Sequence, residues 1–129
     1  MGEWTNDGLI RFSGSVPAFV DGRDSPRAFL ERCLDAIDAR EGEVKAFVTL
    51  NRDGARAAAD ASNERYRAGR VLSPVDGCPI GAKDIIETAD MPTQMNSPLF
   101  DGWQSGRDAA CIGALRRGGA GILGKTVTT

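Results

Sequence analysis

Lys83 closes the octapeptide Gly77-Cys78-Pro79-Ile80-Gly81-Ala82-Lys83-Asp84. Two glycines and a proline in an apolar run read as a short buried strand bounded by turns. An ammonium delivered into a core on such a strand is penalised by desolvation, which favours the neutral amine. A neutral amine is a base, so the segment suggests proton abstraction. The competing reading is a lysine that snorkels from the strand end to water and has no chemical role. The octapeptide alone leaves both open. The rest of the composition narrows the chemistry, because the chain contains no histidine. Ser-His-Asp and Cys-His catalysis and imidazole metal sites are thereby removed, and acid–base work falls to a lysine or a carboxylate.

Two other candidates are weaker. Cys33, Cys78 and Cys111 are an odd set without paired spacing, which argues against a disulfide framework or a zinc site; each sits in an apolar pattern and reads as a small core residue. Gly119-Ala120-Gly121-Ile122-Leu123-Gly124-Lys125-Thr126 fits the literal phosphate-loop pattern G-x-x-x-x-G-K-[ST]. A phosphate loop needs a strand before it and a helix after it, so that N–H groups converge on the anion. Here a helical pattern precedes, Ile122 and Leu123 are large and apolar, and nothing helical follows Thr126. Nucleotide binding is therefore the remote alternative.

The elements that must position Lys83 alternate in type. Residues 1–24 show no sustained periodicity, and Asp21-Gly22-Arg23-Asp24 reads as a turn. Ser25-Pro26 starts a helix whose inner face is Phe29, Leu30, Cys33, Leu34 and Ile37, with Gly42 as its stop. Residues 45–50 read as a strand. Asn51 and Asp53 offer caps for a helix over 54–68, closed by Gly69, with an alanine-rich inner face that must lie close to its neighbour. After Lys83 comes a long irregular segment, 89–106, of the kind that more often carries function than fills space. Asp108 is expected to cap a helix over 109–117 with Ile112 and Leu115 inward, and 120–124 reads as a third strand. Strand, helix and strand at this spacing predict an α/β fold with parallel neighbours. The β-branched Val127-Thr128-Thr129 is expected to leave an open sheet edge, and so to continue into a longer protein.

At 129 residues, 41% hydrophobic and 26% charged with net charge −2, the chain has the composition of one small globular unit. Basic and acidic residues are interspersed, so neither nucleic acid nor an anionic membrane is an expected partner. No apolar run is long enough to span a bilayer and the start lacks a basic-then-apolar signal, so a cytoplasmic setting is expected. No ligand cluster calls for a cofactor or a metal.

Several motifs, in order, resemble the amidase signature family: the 74–86 run ending in Lys83-Asp84-Ile85-Ile86, then Thr88-Ala89-Asp90-Met91-Pro92-Thr93, Asn96-Ser97-Pro98, Asp108-Ala109-Ala110, Leu115-Arg116, and Gly121 through Thr129. The resemblance covers nearly the whole chain, with the 25–68 lead-in also fitting. It implies the N-terminal part of a mixed-sheet amidase fold with flanking helices, residues 1–129 being one portion of a single amidase domain. It further implies hydrolysis or transfer of a carboxamide C–N bond by a Ser–cis-Ser–Lys triad, with Lys83 as catalytic base. Asp84 would orient Lys83 or hold the strand-to-loop corner. Met95, Asn96 and Ser97 match a segment lining the acyl-binding cleft, with Asn96 standing where the family usually has glycine. Lys125-Thr126 would be structural.

The main departure is that the family's Gly/Ser-rich segment, with both serines and the oxyanion donors, lies beyond Thr129. Ser97 and Ser105 match neither serine, so the chain alone is expected to be inactive. The implied partners are a small-molecule amide and the rest of the amidase chain; a homodimer is left open. The motif style looks closer to general amidases than to the amidotransferase that works on charged transfer RNA. The non-enzyme alternative is an interaction domain, or one part of a split amidase, binding through an exposed sheet edge.

Overall fold

The computed structural model describes residues 9–129. Its elements are α1 (Phe12–Asp21), α2 (Pro26–Val44), β1 (Phe47–Leu50), α3 (Arg52–Arg67), β2 (Pro79–Lys83), α4 (Ala110–Arg117) and β3 (Gly121–Thr126). A short 3-10 turn, Pro98–Phe100, interrupts the long loop between β2 and α4. The three strands form one mixed sheet in the order β1-β3-β2, with β3 antiparallel to β1 and parallel to β2. The α/β expectation with a parallel strand–helix–strand unit is met. No described helix is long and apolar enough to cross a membrane.

Local signals explain α2 and α3. Ser25 Oγ accepts the Ala28 N–H at 3.1 Å, and Pro26 fills a first-turn position where no N–H is needed. Asn51 Oδ1 accepts the Gly54 N–H at 3.0 Å. Leu30 and Leu34 of α2 meet Ala55 and Ala59 of α3 and Leu123 of β3, with Ile37 and Leu50 against the cluster. The alanine face of α3 lets it approach the sheet closely: a Cβ at Gly121 would lie 3.3 Å from Ala58 Cβ. On the other face of the sheet, Ala82, Met91, Ile112 and Ile122 form a second cluster under α4 and the loop.

Several expectations are corrected. Residues 12–21 are helical despite Gly14 and Pro17, because Phe12 and Phe19 pack against Phe29 and Tyr66; tertiary burial outweighs poor local propensity. Residues 1–8 lie outside the described residues. α2 runs through Gly42 to Val44 and ends on Lys45 at φ 52°, whose N–H returns to Glu41 O at 2.9 Å. An interior glycine costs a helix only about 1 kcal/mol, which packing offsets. Asp108 does not cap α4: its carboxylate accepts the Ala89 N–H at 2.8 Å and pairs with Arg116 at 3.0 Å, which fastens the loop instead. Cys111 is exposed, on the outer side of α4; Cys33 and Cys78 are half-buried, and burial pushes both thiols up. The last strand is not an edge. β3 is the middle of the sheet, and β1 and β2 are the edges. The phosphate-loop pattern folds into this strand, directly after α4.

Asp76 joins the segment before β2 to α3. Its carboxylate, fully buried, accepts Ser62 Oγ at 2.8 Å, Arg65 Nε and Nη2 at 2.8 and 2.7 Å, and the Leu72 N–H at 2.9 Å. Burial pushes this carboxyl up, but Arg65, Leu72 and Ser62 together outweigh it and hold the group below the usual carboxylate range. A carboxyl depressed in the folded state stabilises the fold above its unfolded pKa, and that stability is lost as pH falls through the folded value. Acid unfolding should therefore show a loss below about pH 4 that Asp76→Asn flattens, read by urea unfolding at stepped pH.

Gly77, next to it, has φ 85°, and a Cβ there would lie 2.7 Å from Ser62 Oγ and 2.8 Å from Pro26 Cβ. Gly77→Ala should cost about 1–3 kcal/mol from the backbone alone, with further loss from the clash, measured as a lower urea midpoint at unchanged m-value.

Candidate active site

Lys83 ends β2, and the structure corrects its expected burial: the side chain is exposed. The physical reason is its place in the sheet. β2 is an edge strand, and along it Ala82 turns to the cluster under α4 while Gly81 and Lys83 take the opposite face. A Cβ at Gly81 on that face would lie 3.2 Å from Thr126 Cγ2 and 3.6 Å from the rim of Phe47. Among the described residues Lys83 makes no ion pair.

The buried lysine is Lys125, paired in register with Ala82 on the middle strand. Its Nζ donates to Pro92 O at 3.0 Å and Thr93 Oγ1 at 2.8 Å, and lies 3.4 Å from Asp84 Oδ1. Burial pushes the Lys125 ammonium down, against the opposing pull of Asp84. The sequence carries only a trace of it: Gly121-Ile122-Leu123-Gly124-Lys125 is a more continuously apolar run than the one bearing Lys83, and it proves to be the strand paired on both sides.

Asp84 is the corner piece, 1% exposed. Its N–H donates to Thr126 O at 2.9 Å, its carbonyl accepts the Met95 N–H at 2.9 Å, and its Oδ1 accepts the Gln94 N–H at 3.2 Å. It therefore holds the strand-to-loop corner, and its charge faces Lys125 rather than Lys83. Met95 and Asn96 both have left-handed backbone, φ 55° and 52°. Asn tolerates that conformation well, so the turn survives with Asn96 in it. Ser97 Oγ accepts the Leu99 N–H at 3.3 Å and starts the 3-10 turn. Gln94, Asn96, Ser97, Pro98 and Asp101 line an open groove of about 460 Å³ against Val48 of β1.

The structure thus brings Met95 to Asp84, one residue from Lys83, and places Asn96 and Ser97 on the groove. Thr93 and Gln94, which sequence reasoning did not single out, bond the loop to Lys125 and Asp84. Among the described residues no group of three or more His, Cys, Asp or Glu side chains is arranged to hold a metal.

This geometry is a strand-end lysine beside a pinned, groove-lining loop, and the family model described as Amidase matches residues 28–129. The chain belongs to the amidase family. The resemblance read from the motifs and the fold expected from it are borne out. A glutamyl-tRNA(Gln) amidotransferase subunit of Chloroflexus aggregans is 42% identical over 116 residues, covering 90% of this chain and 24% of that protein. Its counterpart in Thermobifida fusca, of the same description, is 38% identical over 109 residues, 84% of this chain and 22% of that one. Among solved structures, the native peptide amidase of Stenotrophomonas maltophilia aligns with TM-score 0.78 and 29% identity over 94% of this chain and 25% of that chain. A peptide amidase bound to the competitive inhibitor chymostatin aligns with TM-score 0.84 and 28% identity over 92% of this chain and 25% of that one. The amidase chain described here spans about a quarter of the length of these relatives.

Proposed function

We propose that these residues are the lysine-bearing N-terminal part of a longer amidase that cleaves a carboxamide C–N bond, with Lys83 as general base of a Ser–cis-Ser–Lys triad. The observation that carries the reading is the position of Lys83: an amine without an ion pair among the described residues, at the C-terminal end of a strand and one residue from the corner that fastens the groove-lining loop. Large apolar residues left exposed near the ends of β2 and β3, Ile85 and Val127, and in the loop, Leu99 and Trp103, fit further chain packing there. The quarter-length coverage of the relatives supports the same extension.

On this reading the rest of the chain supplies both serines and the oxyanion donors, and its packing takes Lys83 out of water. Desolvation favours the neutral amine that the chemistry needs. Lys83 Nζ accepts a proton from the nucleophilic serine, relayed through the bridging serine. The serine oxygen attacks the amide carbonyl, and oxyanion donors stabilise the tetrahedral intermediate. As it collapses, the C–N bond breaks and the amine leaves with the relayed proton, giving an acyl-serine ester that water hydrolyses. The Met95–Ser97 turn would wall the acyl side of the cleft. The substrate is a small carboxamide.

The test is partitioning of the full-length protein's acyl-enzyme to hydroxylamine. Amide turnover with hydroxamate formation supports the reading. Amide turnover that never yields hydroxamate, at hydroxylamine levels that compete with water, contradicts a covalent serine intermediate.

A further inference from the structure

Lys125 Nζ has three N–H donors and no acceptor. It donates to two acceptors in the loop, Pro92 O and Thr93 Oγ1, and its charge lies 3.4 Å from Asp84 Oδ1 at the end of β2. Lys125, Asp84, Thr93 and Met91 are all buried. Core packing alone would not call for a lysine at this place, since an apolar side chain fills such a position at no desolvation cost. What an apolar residue cannot do is fix the direction of three polar groups at once.

The consequences run toward the groove. From Thr93 the loop continues at once into Gln94, whose N–H is held by Asp84 Oδ1, and Met95, whose N–H is held by Asp84 O. The left-handed pair Met95 and Asn96 follows, and then Ser97. Lys125 is the cation that reaches this carboxylate, through Oδ1, while Asp84 Oδ2 is buried with no hydrogen-bond partner among the described residues. Glu87 and Asp90 in the loop act on Lys125 only at longer range.

We propose that Lys125 is a positioning residue for the amide-cleaving site: by holding Pro92, Thr93 and Asp84 together, it sets where the Met95–Ser97 wall stands relative to Lys83. The proposal rests on the cleft reading of that turn. Lys83 itself is held by the pairing of β2 with β3, through the Asp84 N–H to Thr126 O, so losing the Lys125 contacts moves the wall more than the base. The signature is a loss in substrate binding larger than the loss in chemistry.

The experiment uses the full-length enzyme, steady-state kinetics on a small amide, and a temperature at which circular dichroism shows each variant folded. Lys125→Met removes the donors and keeps the volume. Thr93→Val removes one acceptor, keeps the shape and leaves the Lys125–Asp84 pair in place, so it remains informative if Lys125→Met does not fold. Misplacement on the ångström scale lowers kcat/KM by about 10- to 100-fold, and here most of it should appear as raised KM, with Thr93→Val showing the same split at smaller size. If folded Lys125→Met, or folded Thr93→Val where the first variant does not fold, keeps wild-type KM, Lys125 is core support only and the proposal is overturned. Lys83→Ala, run alongside, tests the underlying reading separately: wild-type kcat there removes the base assignment whatever KM does at Lys125.

Discussion

Lys83→Ala in the full-length enzyme should lose about 10³-fold in kcat, within the range that a positioned proton acceptor contributes, while the protein remains folded. The two halves of this expectation have different physical origins. The loss of turnover follows because Lys83 is the base of the proposed triad, and alanine offers no atom to receive the serine proton. The retained fold follows because Lys83 holds no ion pair among the described residues, and the packing that takes its amine out of water carries a desolvation cost that alanine removes. Steady-state kinetics and a thermal melt on the same preparation check both halves.

The opposite pattern is expected at the other lysine. Lys125→Met should destabilise the protein by about 3–5 kcal/mol, the usual cost of removing one partner of a buried pair, because Asp84 would be left in a dry site without a cation beside it. Pro92 O and Thr93 Oγ1 would lose their donor as well. Adding Asp84→Asn should recover part of the loss, since the two positions share one contact and their effects do not add.

The pH dependence has a definite sign. Burial holds the folded Lys125 below its unfolded value, so the unfolded chain binds more protons in the window below about pH 10.4, and this group's contribution to stability rises with pH there. Urea unfolding of wild type and Lys125→Met at stepped alkaline pH should show that rise in the wild type only.

The sequence made legible whatever short-range chemistry decides. The caps of α2 and α3 at Ser25 and Asn51 were readable because a side-chain oxygen and an N–H three residues on settle them. Asn96 was marked only by the family glycine it replaces, and Met95 beside it takes the same left-handed backbone with no local signal. α1 was not, because its stability lies in Phe29 and Tyr66, far along the chain. Asp108 had the right type and place for a cap, yet Ala89 and Arg116 compete for its oxygens through contacts with no local trace. Which lysine is buried was not legible in the sequence. Both end apolar runs, and only strand order puts one on an edge and the other in the middle of the sheet. In the candidate site, Lys83, Asp84 and the Met95–Ser97 turn were found from motif, while the Lys125 contacts that pin the turn needed the fold.

The central claim is that amide cleavage passes through a serine acylated with the help of Lys83. It is tested most directly by quenching the full-length enzyme with a slowly turned-over amide and mapping the acylated peptide by mass spectrometry. The account predicts an acyl group on a serine C-terminal to Thr129 in the wild type, and none within the quench time in Lys83→Ala. Acylation at Ser97 or Ser105, or equal acylation of the Lys83→Ala variant, would contradict it.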